Sequence, residues 1–413
     1  MAATAIVNAR LLTMHPVHGA RAVIRRPTAA NLGIIERGHI LWESHRITAI
    51  ARGEPASLPK DCTTLDAGGC LVTPGFVDCH THACWAGDRS DEWAMKLAGR
   101  SYLDILSAGG GIMSTVRAVR AAAAEELTAL LARRLAEMAD YGTTTVEVKS
   151  GYGLNTESEL KMLRAIHAAR AHTPQRIAAT FLGAHAIDAE QSDFVSRTIE
   201  ETLPAASRLM PGITADAYCE QGAWTAPDCT AYFERARTLG CPVRVHTNQF
   251  HSLGMVERAI ALGAVSLDHL EACTDAEIAA VARSGSVAVG LPATSFCLGT
   301  PFLRARELVD AGAALALATN ANPGSAPVRS MPLVIALAVR HLRLTPSESL
   351  IATTWNAACV LGMQGECGSL AVGKSADVVL WPFRDERTLA YEVSGALPEA
   401  VFARGVRAGT RFR

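Results

Sequence analysis

From residue 71 onward, short apolar runs alternate with longer stretches whose apolar positions recur every three to four residues. The first pattern is that of a buried strand and the second that of an amphipathic helix. The spacing predicts strands over residues 76–82, 143–149, 177–185, 215–220, 243–249, 265–271, 287–292 and 315–320. Helices are expected over 125–140, 156–171, 194–209, 227–239, 255–262, 275–284 and 303–311, and again from 346 to 358. Strands alternating with helices mean an α/β chain, either a closed parallel (β/α)8 barrel or a doubly wound open sheet. Polar residues recur at the C-terminal end of one strand after another, where barrels keep their sites, and this favours the barrel.

The chain ends have another texture. Residues 6–14 and 33–50 read as short strands broken by glycine and charge, with Glu36-Arg37-Gly38-His39 as a hairpin turn. Residues 17–31, near Pro16 and Pro27, read as an irregular connection. His15, His18, His39 and His45 are expected at the surface or in turns. Strand texture returns at Val378-Val379-Leu380-Trp381. The two ends are therefore expected to pack as one small, discontinuous β-sandwich domain, residues 1–70 plus 365–413. The barrel, 71–364, is inserted between them.

Composition changes this picture little. The 413 residues are 49% hydrophobic with a formal net charge of −1, enough for a large domain plus a smaller one. Near-neutrality offers no attraction for nucleic acid or an anionic membrane. Along helices such as 122–140, arginines are interleaved with acids and read as a solvated face. No uncharged apolar run reaches the ~18 residues of a spanning helix, and residues 1–14 show no leader pattern. A soluble cytoplasmic protein is expected. The 11 cysteines contain no Cys-x-x-Cys pair and read as reduced, mostly buried thiols. Cys79 and Cys84, which could ligate or attack, are expected to pack instead.

The chemistry gathers around Asp78-Cys79-His80-Thr81-His82. Residues two apart on a strand share a face, so His80 and His82 can present two imidazoles side by side to a divalent metal. An edge that merely carries two histidines is the plain alternative. Further strand ends bring Tyr152, His185, His246 with Gln249, His269 with Glu271, and Asn320 with Asn322. A lone buried histidine is usually a satisfied core residue, but these five sit on four strand ends of one expected barrel. His80, His82 and His246 could form a three-histidine set with a position open to water. Such a site acidifies water and polarises a carbonyl.

The His-x-His pair, the single histidines after strands five and six and the polar residue after strand eight resemble the amidohydrolase superfamily. Longer motifs sharpen the likeness: Ala86-Gly87-Asp88-Arg89, Gly109-Gly110-Gly111-Ile112, Val148-Lys149-Ser150-Gly151-Tyr152-Gly153-Leu154, Phe181-Leu182-Gly183-Ala184-His185-Ala186, Asp268-His269-Leu270-Glu271 and Asn322-Pro323-Gly324-Ser325. Across roughly residues 70–385 these resemble the imidazolonepropionase family of histidine degradation. The resemblance implies hydrolytic opening of imidazolone-5-propionate to N-formiminoglutamate at one divalent metal, zinc or iron, in a homodimer. It implies His80, His82 and His246 as ligands and Arg89 as the grip on the propionate carboxylate. Tyr152 and His185 would contact the ring or nascent product, and His269 would orient water or shuttle protons. Gln249, Asn322, Gly324 and Ser325 would hold the ring and tail. For Arg89 the alternative is a surface salt bridge with Asp88 or Asp91.

The chain departs from the family twice. Asn320 stands where an aspartate is expected, and Thr247-Asn248 stands where an Ala-Asp pair is common. Asparagine can offer a carbonyl oxygen to a metal but cannot take up a proton, and it removes one negative charge. Three readings stay open: a disabled variant that traps ligand; a relative using another base, such as His269, on a hydantoin- or thiohydantoin-type propionate; or a pseudoenzyme that binds a small acid. The two changes together favour the natural relative.

Overall fold

The computed structural model describes residues 3–14, 22–100, 104 and 109–409. The chain begins with β1 (Ala3–Leu12), β2 (Ile34–Glu43), β3 (Arg46–Arg52), β4 (Thr63–Asp66) and β5 (Leu71–Pro74). It then builds a parallel sheet from β6 (Phe76–Asp78), β7 (Thr143–Lys149), β8 (Arg176–Ala184), β9 (Thr214–Cys219), β10 (Val243–Thr247), β11 (Ser266–His269), β12 (Val287–Gly290) and β13 (Ala314–Leu317). Finally β14 (Val378–Leu380), β15 (Ala400–Ala403) and β16 (Val406–Arg407) return to the first sheet.

The parallel sheet runs in sequence order from β6 to β13. Its ends meet: Thr81 bridges Ala321, with the His82 N–H on the Ala321 carbonyl at 2.9 Å and the Asn320 N–H on the His80 carbonyl at 3.1 Å. An open doubly wound sheet has no such contact, so this is the closed barrel. The closing bonds also set His80, His82 and Asn320 side by side.

The chain-end strands form one mixed sheet, ordered β16-β15-β14-β5-β1-β2-β3, with β4 paired to β1. It curls on itself, because Trp42 of β2 and Phe402 of β15 lie with ring centroids 4.9 Å apart although four pairings separate their strands. Ile6, Leu11, Ile40, Val72, Val378 and Leu380 fill the fold of this curl. The small β domain expected from both chain ends is thus this curled mixed sheet, which also takes in β5.

Some expectations need correction. The β2–β3 hairpin turns at Ser44-His45, with Ser44 at φ +55°, and Glu36 to His39 lie inside β2. Gly38 is there for closeness rather than turning, since a Cβ on it would lie 2.5 Å from the Ala51 carbonyl oxygen. His39 is buried, with Nδ1 2.8 Å from the Gly53 carbonyl oxygen; His45 is exposed. His15, Pro16 and His18 lie outside the described residues. Residues 22–32 follow the barrel: Arg25 donates to the carbonyls of Ala282 and Gly312 at 2.8 and 2.7 Å, and Asn356 bonds the Ile24 backbone.

The helix expected over 346–358 is two helices, Pro346–Ala352 and Trp355–Val360. Between them the Thr353 hydroxyl returns to the Ser349 carbonyl at 2.9 Å, a side-chain bond that competes with the helical ladder. Helices Ser90–Leu97, Ile112–Ala121, Pro292–Leu298 and Met331–His341 have no counterpart among the elements expected from the sequence. The last is apolar on nearly every side and lacks the polar face that marks an amphipathic helix.

Candidate active site

The barrel interior below the site is ionic, not apolar. Strand alternation turns Glu147 and Lys149 of β7, Asp216 of β9, Arg244 of β10 and Asp268 of β11 inward, all of them buried. Lys149 Nζ donates to Glu147 Oε1 at 2.6 Å and to Asp216 Oδ2 at 2.8 Å. Arg244 donates to Asp268 and, at 2.8 Å, to the Cys79 carbonyl. Three carboxylates face two cations, which leaves one net negative charge under the site. Buried charge is tolerated only when so paired.

Two of these carboxylates reach the histidines. His80 Nδ1 lies 2.5 Å from Asp268 Oδ2, and His246 Nδ1 lies 3.1 Å from Asp216 Oδ1. Each carboxylate accepts a hydrogen bond from Nδ1–H, which leaves Nε2 unprotonated; that of His246 lies 3.2 Å from His82 Nε2. Burial pushes the imidazolium pKa of His80 and His82 well below the ordinary value and that of His246 down to about 4. The rings are therefore neutral, the form that ligates a metal. Nitrogens of His80, His82 and His246 lie within 4.8 Å of one another. His80 Nε2 and Asn320 Oδ1 are buried without a hydrogen-bond partner. Asn320 Nδ2 donates to Thr294 Oγ1 at 2.9 Å. Asp78 in turn binds both the N–H and the hydroxyl of Thr319, fixing the residue before Asn320. Orphaned acceptors beside three neutral imidazoles, over a net negative charge, fit a cation. A carboxylate that accepts from the far ring nitrogen of a histidine fixes the orientation of that ring as a ligand. Lys149 is held between two carboxylates, and Cys79 and Cys84 are packed in apolar clusters. Burial pushes the Cys79 thiol up and the Cys84 thiol up to about 12.

Above the histidines opens a cavity of about 540 Å³. His82, His246, His269 and Asn320 line its floor; Arg89, Tyr152, His185, Gln249, Asn322, Gly324 and Ser325 line its walls. The structure thus gathers every site residue expected from the sequence, apart from His80, which lies beneath the floor. His185 stacks on His82 with centroids 4.9 Å apart, and its Nδ1 is 2.9 Å from the Gly151 carbonyl oxygen. Burial lowers its pKa to about 4, so Nδ1 carries the proton and Nε2 is a bare acceptor. His269 Nδ1 is 3.3 Å from Glu271 Oε2 but misaligned for a hydrogen bond. Asn248, His269 and Asn320 adopt left-handed backbone, at φ +54°, +81° and +54°.

Arg89 immediately precedes helix Ser90–Leu97, and Glu92 sits in its first turn, where a carboxylate suits the helix dipole. Arg89 Nε and Nη2 meet Glu92 at 2.9 and 2.7 Å, so its partner is Glu92 and not Asp88 or Asp91. Glu92 also accepts the Gly111 N–H at 2.9 Å and has Lys96 at 3.2 Å. Arg89 Nη1 lies against Gly324, where a Cβ would come within 2.2 Å of it. The Asn322 carboxamide is engaged by its own loop, accepting from the N–H groups of Gly324 and Ser325 at 2.8 and 2.7 Å.

A sequence profile of the amidohydrolase family matches residues 71–409. An imidazolonepropionase of Herpetosiphon aurantiacus is 43% identical over 397 residues, 93% of each chain. One from Symbiobacterium thermophilum is 45% identical over 352 residues, covering 84% of this chain and 83% of its own. This chain is an imidazolonepropionase-like member of the amidohydrolase family. The fold is also that of E. coli guanine deaminase, with a TM-score of 0.74 at 15% identity over 99% of both chains. An amidohydrolase is a hydrolase, and the three histidines are placed to bind the metal ion such enzymes use. No helix among the described residues is long and apolar enough to cross a membrane.

Asn248, read from the sequence as a departure from the family pattern, has a structural partner of its own. Asn248 faces away from the cavity, and its Nδ2 donates to Glu277 Oε1 at 2.8 Å. An aspartate there would set two carboxylates against each other. Sequence reasoning missed Glu92, Lys96, Tyr218 and Glu220, which also line the cavity. A signal existed in Asp216-x-Tyr218-x-Glu220, polar positions at a spacing of two along a buried strand and the residue that follows it.

Proposed function

We propose that the chain hydrolyses a five-membered cyclic amide bearing a propionate tail, in the first instance imidazolone-5-propionate to N-formiminoglutamate. The observation that carries this is the pairing, in one cavity, of the three-histidine cluster on the floor with Arg89 on the wall. The names of the relatives, all imidazolonepropionases, support it. His80, His82 and His246 would hold one divalent ion, zinc or iron, with Asn320 Oδ1 as a further donor. Such an ion supplies Lewis acidity toward the ring carbonyl and toward water.

The protein groups do the rest. Arg89, oriented by Glu92, grips the tail carboxylate; a planar guanidinium suits a carboxylate. Tyr152 and His185 pack against the ring, and His185 Nε2 accepts from a ring N–H. One water adds across the ring C–N bond: its oxygen ends in the new carboxylate and one proton passes to the leaving nitrogen. Since Asn320 cannot accept a proton, we assign that transfer to His269. The partner of Asn248, Glu277, supports a natural enzyme over a disabled one. The same reading takes the chain as a cytoplasmic homodimer, on the family resemblance.

The test is turnover of imidazolone-, hydantoin- and thiohydantoin-propionate by the metal-loaded protein. Activity on the first supports the reading, and activity on the others alone moves it to a related ring. Tight binding without turnover of any would leave a pseudoenzyme.

A further inference from the structure

Strand β9 and the residue after it supply none of the residues assigned a role on sequence grounds, yet their side chains hold the end of β10 and the residues beyond it at successive levels. Asp216 takes Nδ1 of His246 at 3.1 Å. Two residues on, Tyr218 Oη donates to Gln249 Oε1 at 2.9 Å. Two further on, Glu220 accepts the Phe250 N–H and meets His251 Nδ1, each at 2.8 Å. The parallel register explains the match, since Tyr218 lies directly opposite His246, which puts its phenol beside the residues that follow β10.

A carboxamide has an acceptor end and a donor end. With Oε1 of Gln249 engaged by the phenol, the end left for the cavity is Nε2 and its N–H groups. His185 offers the opposite polarity, with Nδ1 turned to the Gly151 carbonyl at 2.9 Å and Nε2 bare. We propose that Tyr218 is a positioning residue that fixes Gln249 with its N–H donors toward the bound ring, so that the site selects rings presenting an acceptor, a carbonyl oxygen or an unprotonated ring nitrogen, to the end of β10. This rests on the reading that the cavity takes a five-membered cyclic amide, and it adds which polarity that ring must show and which residue imposes it. Without the phenol the carboxamide can turn over and present an oxygen to an acceptor. Gln249 is half-buried in the free protein, and a polar group left unpaired once a ligand covers it discriminates between substrates.

The experiment is a double-mutant cycle on the full-length, metal-loaded enzyme with imidazolone-5-propionate. Turnover by the unmodified protein is measured first; its absence, with no calorimetric binding of hydantoin-5-propionate, sinks the substrate reading and this assignment with it. Given turnover or binding, Tyr218→Phe should raise KM, or the hydantoin-5-propionate Kd, by roughly 2- to 12-fold, the range for one neutral hydrogen bond. The kcat should change by less than about 3-fold. In a Gln249→Ala background the same Tyr218→Phe change should have no further effect on KM, because the group it positions is gone. Gln249→Glu, which puts an oxygen where the N–H groups stood, should weaken binding at least as much as Gln249→Ala. An equal penalty for Tyr218→Phe in both backgrounds would overturn the assignment. So would a Gln249→Glu enzyme that binds as well as the unmodified one, because the cavity would then face the oxygen end.

Discussion

Removing Arg89 is the most direct probe of how the cavity recognises its ligand. The side chain is only 14% exposed, so its charge is little screened by solvent. Glu92 occupies Nε and one edge of Nη2, leaving Nη1 beside Gly324 for the ligand. A charge-assisted hydrogen bond is worth ~1.5–3 kcal/mol, so Arg89→Ala should raise KM for a propionate-bearing ring roughly 10- to 150-fold. Part of any such loss would come from leaving Glu92 short of a partner, and Arg89→Ala with Glu92→Gln separates the two. The control is a ring carrying an uncharged ethyl group instead of propionate. On that substrate Arg89→Ala should change KM hardly at all. Gly324→Ala offers a second route, since its Cβ must displace Nη1; it should mimic Arg89→Ala in kind, with a smaller effect because the arginine tip can shift. Kinetic constants and metal content measured together make the assay. The reasoning fails if Arg89→Ala keeps the original KM on the propionate ring, or if it harms the ethyl and propionate rings equally.

If His269 accepts the proton, His269→Asn should lower kcat by ~10²-fold or more, while Asn320→Asp gives little gain; a rise of that size in Asn320→Asp would instead mark a disabled site. Elemental analysis should find about one metal per chain, and Asp216→Asn should weaken metal affinity ~10- to 100-fold by releasing Nδ1 of His246; competition with a chromogenic chelator reads this directly. Glu92 gives a pH prediction. Burial raises its pKa, but hydrogen bonds from Arg89 and the Gly111 N–H outweigh that and hold it at about 2, against an ordinary 4.5. A depressed carboxyl contributes stability that is fully present above the unfolded value and lost as pH falls through the folded one. The gap in denaturation midpoint between the unmodified protein and Glu92→Gln should therefore be flat from about pH 7 to about 4.5 and shrink from there toward about 2.

The barrel was legible because its strands and helices differ in period, and the closing contact at Thr81–Ala321 merely completes that alternation. The three-histidine cluster was legible for a similar reason: His80 and His82 are two apart, and their neighbours recur at strand ends. The groups that orient those histidines were harder to see. Asp216 and Asp268 read as ordinary strand residues until the fold brings them to His246 and His80 from 30 and 188 positions away. Pairing at that separation leaves no local pattern. The hairpin turn was misplaced because Gly38 looked like punctuation, whereas it is small to let Ala51 approach. Helix Met331–His341 escaped because a helix buried on most sides has no polar stripe to give it away.

The left-handed backbone at Asn248, His269 and Asn320 restricts which amino acids these three strand ends can exchange. Such a conformation is tolerated by glycine, asparagine and aspartate, and costs most other residues roughly 1–2 kcal/mol. At position 320 an alanine or glutamate would therefore carry a backbone penalty on top of any chemical one, and an alanine scan of these positions would confound the two. Aspartate is the exchange that leaves the main chain as it is. It changes only whether an amide nitrogen or a second carboxylate oxygen faces Thr294. A scaffold of this kind can gain or lose a proton acceptor at its reaction centre through one such exchange, with no change of backbone conformation.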